Sequence, residues 1–207
     1  MTLRAGTPDP DALNHEDPMK EYDLIVIGGG RASNLAFAAG KAGQRVALVE
    51  KDRLGGTCPN RGCVPSKLLI GFAETARRVR EADRHFISAT IDRIDVERMF
   101  AETDDWIEGV DGRYEGRLPE GADLYRGTGR FVDDHVVEVN GEGLTAPRIV
   151  IATGTRPRPL PFPDLPAWTS DDLFPFRKKV PRSITIVGGG FIGCEPVSYT
   201  HLRAHET

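Results

Sequence analysis

The sequence predicts an α/β fold built on a parallel sheet, and its first fifty residues carry most of that prediction. YDLIVIG (22–28) and RVALVE (45–50) are short, unbroken apolar runs, the pattern of strands buried on both faces. The alanine-rich stretch 31–42 between them suits a helix. Strand, helix and strand together make a βαβ unit of about 30 residues. Composition agrees with a folded chain: of 207 residues, 39% are hydrophobic and 28% charged, enough for one or two domains with a core. The formal charge of -4 is spread without a basic block, so no nucleic-acid partner is expected. No apolar run approaches the roughly 18 residues of a membrane span, and the N-terminus lacks the order of a signal peptide. A cytoplasmic location without a membrane partner is expected. With 3 cysteines the chain is no secreted disulfide scaffold.

Residues 1–18, rich in Pro and Asp without periodicity, read as a disordered leader, and Met19 is a second possible start. Residues 19–158 read as the first, nucleotide-binding domain. Its strand 22–28 runs into Gly28-Gly29-Gly30-Arg31-Ala32-Ser33, a Rossmann-type glycine turn. Gly28 permits the tight turn, and Gly30 lets the backbone approach a pyrophosphate at the helix N-terminus. Ser33 takes the place of the third glycine and is small enough for close packing. Glu50 ends the second strand 20 residues after Gly30, where a carboxylate can accept from a ribose. Beyond the cysteines, Leu68, Leu69, Phe72, Ala73, Ala76 and Val79 recur at helical spacing, predicting a long amphipathic helix. Residues 124–125, 131–132, 135–139 and 149–152 are strand-like pieces between Gly and Asp-Asp turns. They predict a small antiparallel excursion that returns to the main sheet.

Residues 159–195 read as a linker and the start of a second domain. The proline-rich TRPRPLPFPDLP (155–166) is the boundary, and SITIVGGG predicts another buried strand. Gly188, Gly190 and Gly193 complete a second glycine turn, so two dinucleotides, or one and an internal duplication, are implied. From Pro196 the apolar helical pattern stops. VSYTHLRAHET resembles the translation of a transposon-type sequencing adapter, so residues 196–207 are expected to be a non-native tail outside any packed structure. His201, His205 and Glu206, with metal-like spacing, fall inside it.

GGTCPNRGCVPSK (55–67) sets Cys58 and Cys63 five positions apart. In a regular helix Cα atoms at that separation lie about 8.6 Å apart, beyond the roughly 7 Å that a disulfide spans. The pair can close only if the helix start is distorted, which Pro59 and Gly62 permit. A zinc site would need more ligands than Cys194 and the distant His85 and His135 provide, so no metal is expected. Two unrelated thiols remain the plain alternative, although a nucleotide site a few residues away favours a redox role. The following helix N-terminus would favour a thiolate.

The ordered set of strand, glycine turn, Glu50, GGTCxNxGCxPSK, the IVIATG motif and a second glycine turn ending at Cys194-Glu195 resembles the class I FAD-dependent pyridine nucleotide-disulfide oxidoreductases. The resemblance covers residues 22–195. It implies an FAD-binding domain followed by an NAD(P)-binding one. Gly28, Gly30, Ser33, Glu50, Lys51, Gly56, Thr57, Lys67, Gly129, Thr153 and Gly154 would hold FAD. Gly188, Gly190, Gly193 and Glu195 would line the nicotinamide nucleotide site. Cys58 would be the interchange thiol and Cys63 its partner beside the flavin, with Lys67 paired to Glu195.

The activity implied is electron transfer between NAD(P)(H), FAD, the Cys58–Cys63 disulfide and a small dithiol or disulfide. Dihydrolipoamide is the expected substrate: Ser66 stands where dihydrolipoamide and mercuric reductases commonly carry serine and glutathione-type reductases a second lysine, and no cationic cluster near the cysteines recommends a carboxylate-rich tripeptide. Pro59 and Arg61 depart from the family's usual residues on the substrate side. Mercuric, mycothione and glutathione-type reduction are the alternatives, and a non-catalytic FAD-binding protein with a structural disulfide is the reading from another class. The resemblance also implies a homodimer whose His-Glu acid-base pair comes from a further domain. None of His15, His85 and His135 stands in that motif, so the chain alone is expected to be an inactive portion of the enzyme.

Overall fold

The computed structural model describes residues 18–158, 167–176 and 183–202. The leader before Pro18, linker residues 159–166 and the tail from residue 203, with His205 and Glu206, lie outside the described residues. In chain order the elements are β1 (Lys20–Glu21), β2 (Leu24–Ile27), α1 (Ser33–Lys41), β3 (Val46–Glu50), α2 (Thr57–Arg61), α3 (Cys63–Arg80), α4 (Val96–Glu108) and α5 (Val110–Glu115). After α5 come β4 (Ala122–Arg126), β5 (Arg130–Asp133), β6 (Val136–Val139), β7 (Glu142–Thr145), β8 (Ile149–Ile151), α6 (Ser170–Leu173) and α7 (Phe191–Cys194). They divide into two compact units. The described residues through Gly56 join Asp111–Gly154 in the first, and Thr57–Val110 join those from Thr155 on in the second.

The first unit is the predicted α/β fold. Its main sheet has the order β4-β3-β2-β8, parallel throughout, with Leu24 beside Val46 and Ile27 beside Ile151. Alternation along the strands sorts the core into two layers. Ile25, Ile27, Ala47 and Val49 pack on Val137, Val139 and Leu144 of the smaller sheet, β1-β7-β6-β5. Leu24, Val26, Val46 and Leu48 pack on Ala36 of α1 and on Leu54, with Tyr114 and Leu118 at the margin. The expected helix 31–42 forms as α1, and the antiparallel excursion is β5-β6-β7.

One strand differs from expectation. Residues 124–125 belong to β4 in the parallel sheet, paired with β3 from Val46–Ala122 to Glu50–Arg126, and not to the antiparallel excursion. An edge strand shows one face to solvent, so its half-polar pattern resembles that of an antiparallel strand. Tyr22 ties this edge to the start of β2. Its hydroxyl donates to Asp123 Oδ2 at 2.6 Å and lies 2.6 Å from the Tyr125 hydroxyl. Burial first, and then the bond to Asp123, raise its pKa well above the ordinary tyrosine value.

In the second unit α3 buries Leu69, Ala73 and Ala76, as the helical spacing predicts. Leu69 joins Phe100 and Ile107 of α4 and Phe174 and Phe176 in one apolar cluster. Asp95 caps α4, accepting from Arg98 N at 3.1 Å, and Asp104 Oδ1 accepts from Phe176 N at 2.7 Å. Among the described residues no helix is long and apolar enough to cross a membrane.

Two expectations for the C-terminal part are not met. SITIV does not form a buried strand: residues 183–189 carry no regular structure, and Ile184 and Val187 are exposed. A parallel strand needs neighbours to satisfy its backbone groups, and no described strand flanks this one. The tail, expected to stay outside packed structure, forms a 3-10 helix over Glu195–Leu202, and Tyr199 packs against the Leu69 cluster. Its ring finds apolar surface that burial favours covering.

Leu48 is fully buried between β3's neighbours and α1. Leu48→Ala is expected to cost about 3 kcal/mol of stability. Urea unfolding followed by far-UV circular dichroism measures it.

Candidate nucleotide and dithiol site

In the first unit the predicted nucleotide residues come together at the carboxyl ends of β2, β3 and β8, where parallel sheets bind ligands. Gly28 has φ +116°, and a Cβ there would strike the Ala152 carbonyl just before Thr153 and Gly154. Gly28 N donates to Val49 O at 2.8 Å, closing the end of β2 onto β3. Glu50 organises the turn: Oε2 accepts from Gly29 N at 2.6 Å and Oε1 from Asp52 N at 2.7 Å. Two backbone bonds leave lone pairs on the carboxylate for a ribose hydroxyl.

The next segment crosses the turn at its barest point. Gly56 has φ +67°, and a Cβ on it would stand 2.7 Å from Gly30 Cα. Gly55 N donates to Gly29 O at 2.8 Å, and Leu54 is buried against Gly29. Two backbones thus pass without side chains beside the start of α1, whose first turn holds no acidic residue. Such bare backbone at a helix N-terminus suits a pyrophosphate, so the residues present fit a dinucleotide. Ser33 is fully buried and its Oγ donates to Gly30 O at 2.7 Å, so the residue in place of glycine braces the turn. Gly129 lies over Ile27, Val49 and Val137, while Lys51, Thr153 and Gly154 are exposed.

The cysteines lie in the second unit. Both are exposed and not bonded to each other. The expected distortion is present: α2 ends at Arg61, Gly62 takes φ −145° and ψ −115°, and α3 starts at Cys63. The break falls at Gly62 alone. Pro59 sits in the first turn of α2, where its missing N–H costs no helical bond. Cys58 and Cys63 are therefore on different helices, with Cys63 the first residue of an 18-residue helix. Thr57, the first residue of α2, is exposed.

Lys67 and Glu195 form the expected ion pair. Lys67 first, and then Ser66, hold the Glu195 carboxyl below the ordinary glutamate value. Ser66 is 6% exposed and its Oγ donates to Cys63 O at 3.1 Å. Gly188, at φ +108°, and Gly190, before α7, keep the shape of the second glycine turn, but the turn is exposed. A Cβ on Gly193 would strike the Gly188 carbonyl.

Sequence reading missed two residues of the first unit. Asp111 Oδ1 accepts from Leu54 N at 2.7 Å, and Arg126 holds the same carboxylate through two bonds of 2.9 Å. They stand 15 positions apart in no motif, so no local signal could reveal them.

Residues 22–206 match the family profile described as pyridine nucleotide-disulphide oxidoreductase. The chain belongs to that family. Its members use FAD and NAD(P)H. Among curated relatives, dihydrolipoyl dehydrogenase of Chlamydia pneumoniae is 35% identical over 196 residues, which are 90% of this chain and 42% of that protein. Mercuric reductase of Lysinibacillus sphaericus is 35% identical over 202 residues, covering 94% of this chain and 36% of that protein. A solved structure of the HOCl-induced flavoprotein disulfide reductase RclA from Escherichia coli superimposes with a TM-score of 0.73 at 27% identity, over 89% of this chain and 41% of that one. The chain thus spans about two-fifths of the length of these oxidoreductases.

The stabilisation from the Lys67–Glu195 pair has a definite pH sense. A carboxyl whose pKa is lowered by folding contributes stability above its unfolded value and loses it as pH falls through the folded value. Carbon-detected NMR titration of the Glu195 carboxyl is expected to give a midpoint below 4.5, and Lys67→Met should move it upward.

Proposed function

We propose that the whole protein is a flavoprotein oxidoreductase that passes an electron pair between NAD(P)(H), FAD, the Cys58–Cys63 pair and a small dithiol or disulfide, dihydrolipoamide with NAD+ foremost. The observation that carries this reading is the pair of exposed cysteines on either side of the Gly62 helix break, with the Lys67–Glu195 pair one turn along α3. The resemblance to dihydrolipoyl dehydrogenases supports the substrate. Mercuric reduction is the second reading, because mercuric reductases are as similar to the chain as the dehydrogenases are. A homodimer in the cytoplasm completes the proposal.

Bound across the glycine turn, FAD would supply two-electron exchange with both a nicotinamide and a thiolate. Gly28, Gly30, Gly56 and Glu50 would hold it through bare backbone and a fixed carboxylate, with Lys51, Thr57, Lys67, Gly129, Thr153 and Gly154 also serving it. The second glycine turn, with Glu195, would serve the nicotinamide nucleotide. The cysteines do the exchange. A substrate thiolate attacks the oxidised pair at Cys58, forming a mixed disulfide and releasing Cys63 as thiolate. The second substrate thiolate then attacks the substrate sulfur bonded to Cys58, closing the substrate disulfide and freeing Cys58. The substrate dithiol is oxidised to a disulfide, the Cys58–Cys63 disulfide is reduced to two thiolates, and the two protons given up by the substrate thiols pass to solvent or to those thiolates.

In the whole protein, two-electron reduction is expected to produce a long-wavelength thiolate-to-flavin absorbance that Cys63→Ser abolishes. Survival of the band in that variant removes Cys63 from the role. Comparing kcat/KM for dihydrolipoamide with NAD+ against mercuric ion, glutathione disulfide and mycothiol disulfide with NADPH tests the substrate. The largest value is expected for dihydrolipoamide, and a clear preference for another sinks that assignment alone.

A further inference from the structure

We propose that the Asp111–Arg126 ion pair is a positioning device for FAD binding, holding the 52–56 segment against the glycine turn. The inference rests on reading the Gly30–Gly56 crossing as the FAD cradle. Arg126 ends β4, where the main sheet reaches its carboxyl edge, and its register partner is Glu50, the carboxylate that fixes Gly29. Its two terminal guanidinium nitrogens are both engaged. Both nitrogens reach the Asp111 carboxylate at 2.9 Å, one also reaches Glu115 at 2.8 Å, and the other reaches the Asp52 carbonyl at 3.3 Å. Only a planar fork can make such a set, and lysine would not reproduce it.

The same carboxylate touches the cradle segment. Asp111 Oδ1 accepts from Leu54 N at 2.7 Å, so Asp111 and Arg126 together grip both ends of the short run from Asp52 to Leu54. That grip sets the crossing itself: Leu54 is fully buried against Gly29, Gly55 N bonds to Gly29 O, and Gly56 lies on Gly30. From the other side, Asn140 Nδ2 donates to Arg126 O at 2.9 Å and Gly127 N to Glu50 O at 3.0 Å. Arg126 is thus anchored by its backbone while its side chain holds the loop. A ligand that needs two bare backbones at fixed separation gains affinity from such preorganisation.

The test is FAD titration of the whole apoprotein, followed by flavin fluorescence, with melting of each apoprotein alongside. Asp111→Asn and Arg126→Met are each expected to raise the Kd for FAD about tenfold, with the double variant no weaker than either single one. Arg126→Lys should recover part of the loss. FAD affinity in the variants within about twofold of wild type overturns the proposal, whether or not the apoproteins melt lower, because the pair then serves the fold alone. Should Arg126→Met fail to fold, Asp111→Asn decides, since its amide oxygen can still accept from Leu54 N. Wild-type protein that takes up no FAD overturns the parent reading and this one with it.

Discussion

Everything at the nucleotide site depends on one close approach, the passage of Gly56 over Gly30. No side chain fits between them, because even a methyl on Gly56 would meet Gly30 Cα at 2.7 Å. The approach converts an ordinary strand-turn-helix into a cradle with bare backbone on two sides. The neighbouring contacts all serve it: Glu50 pins Gly29, Ser33 braces Gly30 and buried Leu54 covers the turn. The parallel sheet beneath supplies rigidity, since its two central strands, β2 and β3, are buried on both faces.

The dithiol unit solves a different problem. Two cysteines five residues apart are held too far from each other by a continuous helix, and the chain answers with a break at Gly62. Ser66 and Lys67 then use the first turns of α3 to organise what lies beside the break, one through the Cys63 carbonyl and the other through Glu195. Membership in the pyridine nucleotide-disulphide oxidoreductases accounts for both halves in one chain. The substrate is a finer matter than the family.

Much of this was legible in the sequence because the signals are local. Apolar runs of strand length, a glycine turn and an acid at the end of the next strand predict β2, α1, β3 and their ligand without tertiary information. The cysteine spacing predicts a distorted helix start, and the structure puts the distortion at Gly62. What stayed hidden depends on partners distant in sequence. Asp111 and Arg126 have no motif; β4 reads as antiparallel because it is an edge; α4 is diluted by acidic residues, although Asp95 is a recognisable cap. SITIV has the right composition for a strand, and composition alone cannot provide the neighbours that a strand requires.

The central claim is that the Gly30–Gly56 crossing is the FAD cradle, and Gly56→Ala tests it most directly. Equilibrium dialysis of the whole protein against FAD should show affinity weakened by at least about tenfold at unchanged far-UV circular dichroism, since the added methyl forces the two backbones apart. Wild-type affinity in a folded Gly56→Ala protein would contradict the account.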